Sequence, residues 1–430
     1  EETNIASSPS TYHSFRDAAD VALLRSGLLA WYDREKRELP WRTLAATVSD
    51  VNIRIYAVWV SEIMLQQTQV ATVIDYYNKW MKRWPTVQDL AAATLEEVNQ
   101  MWAGLGYYSR GKRLHDGAQK VVSQLQGQMP RTVDALLKQL PGVGRYTAGA
   151  VGSIALGQVT GAVDGNVIRV LCRLRAIGAD CTGPVVTEAL WSLANRLVDP
   201  DRPVDFNQAM MELGARICTP KGALCSQCPV QPHCRSYHRV NFKKEKNSIK
   251  LMGKLDRKPP SLPDIEDCSP SVNSGTCTLC PSEPWDDDLG VQNFPRKPAK
   301  KPPRAERSLV CVVVRRGHGG EHEFLLTQRP STGLLAGLWE FPCVPHEHKN
   351  DNVEEKKVLC AEINRILGAS LTHSLLQYVG EVVHIFSHIH QTYVVHTLCL
   401  NDSGWQSEKV QWLTRSALQD AAVSTGMKKV

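Results

Sequence analysis

Two acidic side chains and four cysteines are the residues of this 430-residue chain whose types and spacing could do chemistry. The cysteines are spaced Cys218-x6-Cys225-x2-Cys228-x5-Cys234. Four thiols crowded together predict a metal centre, because unpaired they would be reactive liabilities. Spacing leaves zinc and an iron–sulfur cluster both open, though a single Cys-x2-Cys within the quartet is less like a zinc ribbon. Glu62 lies among Val58, Trp59, Ile63 and Leu65 on a predicted helix. Desolvation there would raise its pKa and make it a general acid near neutral pH. The alternative is a glutamate facing solvent from one polar stripe. Asp164 stands in Val163-Asp-Gly-Asn-Val-Ile-Arg169. It either caps the helix starting near Asn166 or holds a carboxylate at a cleft.

The elements that must position these groups are mostly helices. Leu140-Pro-Gly-Val-Gly-Arg-Tyr-Thr-Ala-Gly149 reads as a helix–hairpin–helix. Gly142, Val143 and Gly144 would present successive amides and a helix N-terminus to a phosphate, which positions a duplex without reading it. An ordinary glycine turn is the competing reading. Leu23-Leu24, Leu28-Leu29 and Trp31-Tyr32 give helical spacing, and residues 56–84 hold neither glycine nor proline. Thr94 followed by Glu97 predicts a capped helix start. Residues 15–240 therefore form a helical domain after an N-terminal extension, 1–14. Residues 241–307, rich in proline and basic residues, read as an extended linker unable to bury a core. From 308 to 430 short β-branched runs surround a helix near 353–367, a separate α+β domain.

Bulk properties narrow the function classes. An apolar content of 43% with 22% charged residues describes a folded soluble chain, and no apolar run is long enough for a bilayer. The net charge of +6 suits a polyanionic partner. Thirteen cysteines, an odd number in so large a chain, argue against a secreted disulfide framework. The ends, Glu1 and Val430, do not reveal localisation.

Several motifs in order carry a resemblance. They are Leu39-Pro-Trp-Arg42, Ser61-Glu-Ile-Met-Leu-Gln-Gln-Thr-Gln69, Gly104-Leu-Gly-Tyr-Tyr108, Leu140-Pro-Gly-Val-Gly144, Val163-Asp-Gly-Asn166 and the cysteine quartet. Residues 20–235 resemble the endonuclease III superfamily of DNA glycosylases, and more narrowly its MutY-type adenine DNA glycosylases. The resemblance implies a two-lobed, all-α helix–hairpin–helix glycosylase, with a [4Fe–4S] cluster on Cys218, Cys225, Cys228 and Cys234. Lyase members place a lysine nucleophile where this chain has Tyr146, which cannot form a Schiff base. They also lack a glutamate at the position of Glu62. A monofunctional enzyme is implied.

The implied mechanism flips adenine from the duplex and protonates it at N7 from Glu62. Asp164 then stabilises the oxocarbenium-like sugar, and Glu62 activates water. Tyr146 and Asn166 would orient Asp164 and the sugar. Arg42, Gln67 and Tyr107 would contact DNA, the last two as wedge and stacking residue. From residues alone, Gln67 is a polar helix face and Tyr107 a core aromatic.

The C-terminal region resembles the Nudix-like domain of the same family, its Gly333-Leu-Leu-Ala-Gly-Leu-Trp-Glu-Phe-Pro342 matching a Nudix opening. The metal-binding helix of active Nudix hydrolases is missing; Val358–Arg365 offers only Glu362. The implied role is recognition of 8-oxoguanine opposite adenine, through Phe386, Ser387 and His388. Cys268-x8-Cys277-x2-Cys280 invites a zinc ion with one ligand missing. Mammalian members carry such an interdomain zinc, and His13 is the expected fourth ligand. The resemblance further implies duplex DNA with 8-oxoguanine:A mispairs as substrate and a checkpoint sliding clamp docking at Ile265-Glu266. It also implies contacts with an AP endonuclease and the replication clamp, a monomeric state, no membrane association, and residence in nucleus and mitochondrion. Three rivals compete: a lyase of the same fold, a Nudix-type nucleotide hydrolase with a DNA-binding appendage, and a non-catalytic iron–sulfur DNA-binding protein. Tyr146 opposes the first and the absent metal helix the second; in the third, Glu62 and Asp164 would be structural.

Overall fold

The computed structural model describes residues 11–251, 277–296, 302–317, 320–330, 333, 335–346, 352–386, 389–400 and 410–430. The chain divides into two compact units: Glu1–Glu62 with Met129–Ala299, and Ile63–Gln128 with Lys300–Val430. The partition expected from sequence ran along the chain, with boundaries at 14, 240 and 307. The observed one does not, because the helical region itself contributes to both units. No helix among the described residues is long and apolar enough to cross a membrane.

In the first unit, helices Ala18–Glu35, Gly165–Leu174, Pro184–Leu197 and Pro203–Arg216 share one core. Leu24 and Leu28, one turn apart, are fully buried on the first of them. Each such leucine contributes roughly 1.5–3 kcal/mol relative to an exposed position. Asp17 starts that helix by accepting from the Ala19 N–H. Pro40 opens the helix Pro40–Thr47, where its missing N–H costs nothing.

The 241–307 segment departs from the extended linker expected of it. Helix Arg235–Leu251 runs past the 240 boundary, and residues 277–296 form a folded strap. Phe294 is fully buried and Leu279 nearly so. Gly178 and Ala179 donate backbone N–H groups to the Leu279 carbonyl at 3.1 and 3.3 Å. Two apolar anchors with backbone partners hold a stretch whose average composition is too polar for a core.

In the second unit, helices Val70–Arg83, Val87–Ala92, Leu95–Trp102 and Ser109–Gln124 pack around Trp80. Trp84 and Trp102 meet it edge-on at 4.8 and 5.5 Å. Thr94 forms the expected capping box with Glu97, and Thr86 forms another with Asp89. The stretch 56–84 is two helices, not one, because Gln67 adopts φ 56° after Val51–Leu65 ends.

The remainder of this unit is the α+β fold. Its strands are β1 (Arg304–Arg316), β2 (His322–Gln328), β3 (Trp339–Glu340), β4 (Cys343–Pro345), β5 (Gln377–Ile385), β6 (Ile389–Leu400) and β7 (Val410–Thr414). They form one mixed sheet ordered β3-β2-β1-β6-β5, with β4 on β1 and β7 on β2. β1 and β6 run parallel, Arg304 opposite Ile389 through Arg315 opposite Leu400. Leu309, Cys311 and Val313 alternate onto one face and pack with Leu359 and Ile363 of helix Asn352–Leu367.

Candidate active site

Glu62 lies within the buried stretch 55–64 of helix Val51–Leu65, after Tyr56, Trp59 and Val60 and before Ile63 and Met64, and is itself only 4% exposed. The polar stripe that would have carried it to solvent is absent. Its partner is Tyr146, whose hydroxyl donates to Glu62 Oε2 at 2.5 Å. Burial pushes the Glu62 pKa up to about 7; the Tyr146 bond opposes that shift, and the nearby Asp164 charge adds to it. Tyr146 is itself buried, and burial together with the two carboxylates holds its pKa well above 10. It therefore stays a donor. Because Tyr146 occupies Oε2, a Glu62 proton is left for Oε1.

Asp164 is the N-cap of helix Gly165–Leu174 and accepts from the amides of Asn166 and Val167 at 2.9 and 2.7 Å. Asn166 Nδ2 donates to its other oxygen at 2.8 Å. Asp164 caps this helix and lies within electrostatic reach of Glu62. Burial raises its pKa, and the Val167 amide and Asn166 pull it back. Asn166 is thus bonded to Asp164, whereas Tyr146, expected beside Asp164 as well, lies one residue into its helix with its hydroxyl on Glu62.

Hydrogen bonds connect this acid to the cysteine segment. Arg169 Nη2 donates to Asn166 Oδ1 at 2.7 Å, while its Nε donates to the Cys218 carbonyl at 2.7 Å. Arg173 Nη1 lies 3.3 Å from Cys218 Sγ. Cys218, Cys225, Cys228 and Cys234 line one small cavity walled by Ile217, Tyr237 and Val291 of the strap. Among the described residues, the group whose ligand atoms all lie within 4.8 Å of one another is a different one: His13, Cys277 and Cys280. A single tetrahedral zinc would need sulfurs about 3.8 Å apart. The quartet does not form such a group.

A second buried glutamate was missed by the sequence. Glu212 accepts from Arg37 Nε at 2.6 Å and from Arg42 Nη2 at 2.9 Å. Burial would raise its carboxyl, but the two arginines hold it below the usual range. Arg42, expected at a DNA surface, turns inward instead: Glu212, Gln208 at 3.0 Å and the Arg37 carbonyl use its donors. The physical reason is the uncompensated charge that Glu212 would otherwise bury. A pocket of about 580 Å³ lined by Arg37, Leu39, Arg42 and Gln208 opens there, within the usual size for a small ligand. No local pattern signals Glu212, since the helix Pro203–Arg216 also carries Asp205, Asn207 and Gln208.

In the hairpin, Gly142 takes φ 74°, which favours glycine. Gly144 is extended, and a Cβ there would meet nothing within 4 Å. No side chain caps the helix it starts, and a helix N-terminus of this kind favours an anion. Val143 is buried and anchors the turn. Gln67 and Tyr107 are exposed, Tyr107 by 45% and so not a core aromatic; both have left-handed backbones, φ 56° and 47°. Phe386 donates its N–H to the Ile389 carbonyl at 2.8 Å. Ser387, His388, Cys268 and Ile265-Glu266 lie outside the described residues.

A profile of the HhH-GPD superfamily of base excision DNA repair proteins matches residues 60–196, and a NUDIX domain profile matches residues 310–430. The adenine DNA glycosylase of Homo sapiens is 56% identical over 435 residues, covering all of this chain and 77% of that protein. That of Schizosaccharomyces pombe is 39% identical, covering 95% of this chain and 88% of its own. A solved thermostable thymine-DNA glycosylase aligns over 52% of this chain and all of that one, at 28% identity and a TM-score of 0.45.

Proposed function

The chain belongs to the adenine DNA glycosylase family, and from that premise we propose a proton-bearing Glu62 as its general acid and 8-oxoguanine:A as its mispair. It is a base-excision repair glycosylase acting on adenine in DNA. The observation that carries the acid assignment is the buried Glu62, raised to about 7 and bonded by Tyr146 through one oxygen only.

Adenine, extruded from the duplex, receives the Oε1 proton of Glu62 at N7. The C1′–N9 bond breaks with its electron pair leaving on the base. Asp164 stabilises the positive sugar, as a carboxylate held by the Asn166 and Val167 amides. Glu62, now ionised, takes a proton from water as its oxygen bonds to C1′, which restores the acid. The product is an abasic site, and the strand stays whole because Tyr146 offers no amine. Arg37 and Arg42, both held by Glu212, supply part of the polar wall of the pocket they line.

Cys218, Cys225, Cys228 and Cys234 would hold a [4Fe–4S] cluster, whose role here is to fix the segment that Arg169 joins to Asn166. His13, Cys277 and Cys280 would bind zinc, with Cys268 completing the set. His13 Nδ1 lies 2.8 Å from the Arg175 carbonyl, which leaves Nε2 toward Cys280 Sγ at 3.4 Å. Zinc content that survives Cys277→Ser with Cys280→Ser contradicts this site. Gly142, Val143 and Gly144 bind a phosphate; Gln67 wedges into the duplex and Tyr107 stacks. Phe386, Ser387 and His388 read the oxidised guanine. The clamp and endonuclease contacts and nuclear and mitochondrial residence rest on the family resemblance alone.

The test is adenine release from 8-oxoguanine:A and G:A duplexes, with and without alkali. Faster release from the first, and strand breaks only after alkali, are expected. Equal rates would remove the lesion preference, and alkali-independent breaks would remove the monofunctional assignment.

A further inference from the structure

Gln67 and Tyr107 lie forty residues apart in sequence, yet one side chain holds both of their loops. Arg110, in the first turn of helix Ser109–Gln124, is 4% exposed. Its Nη1 donates to the carbonyls of Ile63 at 3.0 Å, Met64 at 2.9 Å and Gln66. Its Nη2 donates to Thr68 Oγ1 at 3.1 Å and the Gly106 carbonyl at 3.0 Å. The guanidinium also lies over the Tyr107 ring, 5.4 Å from its centroid. The helix Val51–Leu65 ends there on two tight turns, Gln66 N–H to the Ile63 carbonyl and Thr68 N–H to the Leu65 carbonyl at 3.3 Å each, and the Arg110 donors tie those turns to the second loop. A left-handed backbone at a non-glycine residue persists only where its surroundings over-determine it. Here it occurs twice, at Gln67 and at Tyr107, on either side of one planar fork.

We propose that Arg110 is a positioning residue that fixes the spacing of Gln67 and Tyr107, so that both enter the duplex together as adenine leaves it. The proposal rests on the reading of those two residues as wedge and stacking groups. A rigid fork can hold two loops in register; the flexible point charge of a lysine cannot. Base extrusion therefore depends on Arg110, while protonation of the extruded base does not.

The experiment uses the full chain and an 8-oxoguanine:A duplex with 2-aminopurine beside the target adenine, whose fluorescence reports unstacking. Arg110→Lys should slow unstacking by at least about tenfold. Thr68→Val, which removes one acceptor, should slow the same step less. In both, binding to a duplex with a tetrahydrofuran abasic analogue should stay within about threefold, since no base is left to extrude. The pH midpoint of adenine release, set at Glu62, should not move. Arg110→Lys combined with Gln67→Ala should be no slower than Gln67→Ala alone. Parental unstacking in Arg110→Lys overturns the proposal. So does an Arg110→Lys protein that loses cooperative melting while Thr68→Val unstacks at the parental rate, for Arg110 is then only structural. Parental unstacking in both Gln67→Ala and Tyr107→Ala overturns the wedge reading itself, whereas slow unstacking there with parental Arg110→Lys sinks the present inference alone.

Discussion

Carboxylates stand in contrasting surroundings in two regions of this molecule, the helical site around Glu62 and Asp164 and the helix Asn352–Leu367 of the α+β fold. In the second region every acid has a cation: Glu354 faces Lys357 at 3.3 Å, Glu355 faces Arg307 at 2.7 Å, and Glu362 faces Arg365 at 2.7 Å. In the first, Glu62 faces a tyrosine and a second acid. A cation beside a carboxyl favours the form that has no proton to give. A buried carboxyl beside a neutral donor keeps its proton near pH 7. The same contrast recurs within the helical site, where Glu212 between two arginines is held low. Surroundings, not the number of acids, decide where proton chemistry is available.

Four substitutions break or sharpen this contrast. Glu62→Gln should lower single-turnover adenine release by on the order of 10³-fold or more with duplex affinity kept; retained turnover would make Glu62 a structural residue. Asp164→Asn should cost on the order of 10²-fold in the same assay. Its stability, measured by denaturant unfolding, should stay within about 0.5 kcal/mol of the parent, because asparagine also caps a helix. Tyr146→Phe should slow release about tenfold and move its alkaline limb to higher pH, since the Tyr146 hydrogen bond lowers the Glu62 pKa; a limb that moves down would reverse the assigned sign. Glu362→Gln, by contrast, should leave release within about twofold and stability within about 0.5 kcal/mol, as expected for a surface pair.

The pH dependence of stability sharpens the contrast further. Glu62 binds its proton more tightly folded than unfolded, so between about 4.5 and 7 the folded chain holds the extra proton. Its contribution is therefore present in full at low pH and lost as pH rises through that window. Glu62→Gln, which mimics the protonated acid, should be more stable than the parent at pH 8 by about 1–3 kcal/mol and equal to it near pH 4.

Much of this site was legible in the sequence because its residues lie in local patterns. Glu62 stood among apolar neighbours, Asp164 preceded Gly-Asn, and the hairpin and the cysteine spacing were each contiguous. The expected cap at Thr94 and the strands around Val310 and Val394 had similarly local signals. What escaped detection depends on partners distant in sequence. Arg37 and Glu212 are 175 residues apart, and nothing near either announces the pair. Arg110 looks like an ordinary helix surface residue until its acceptors from another loop are known. β3 and β4 are too short to show a period, and the strap depends on two apolar anchors in a polar stretch.

The central claim is most directly tested by a carbon-13 NMR titration of the Glu62 carboxyl in the full chain, identified by difference against Glu62→Gln. A midpoint near 7 is expected. A midpoint at the ordinary glutamate value of 4.5 would leave Glu62 ionised at neutral pH and contradict its role as the acid.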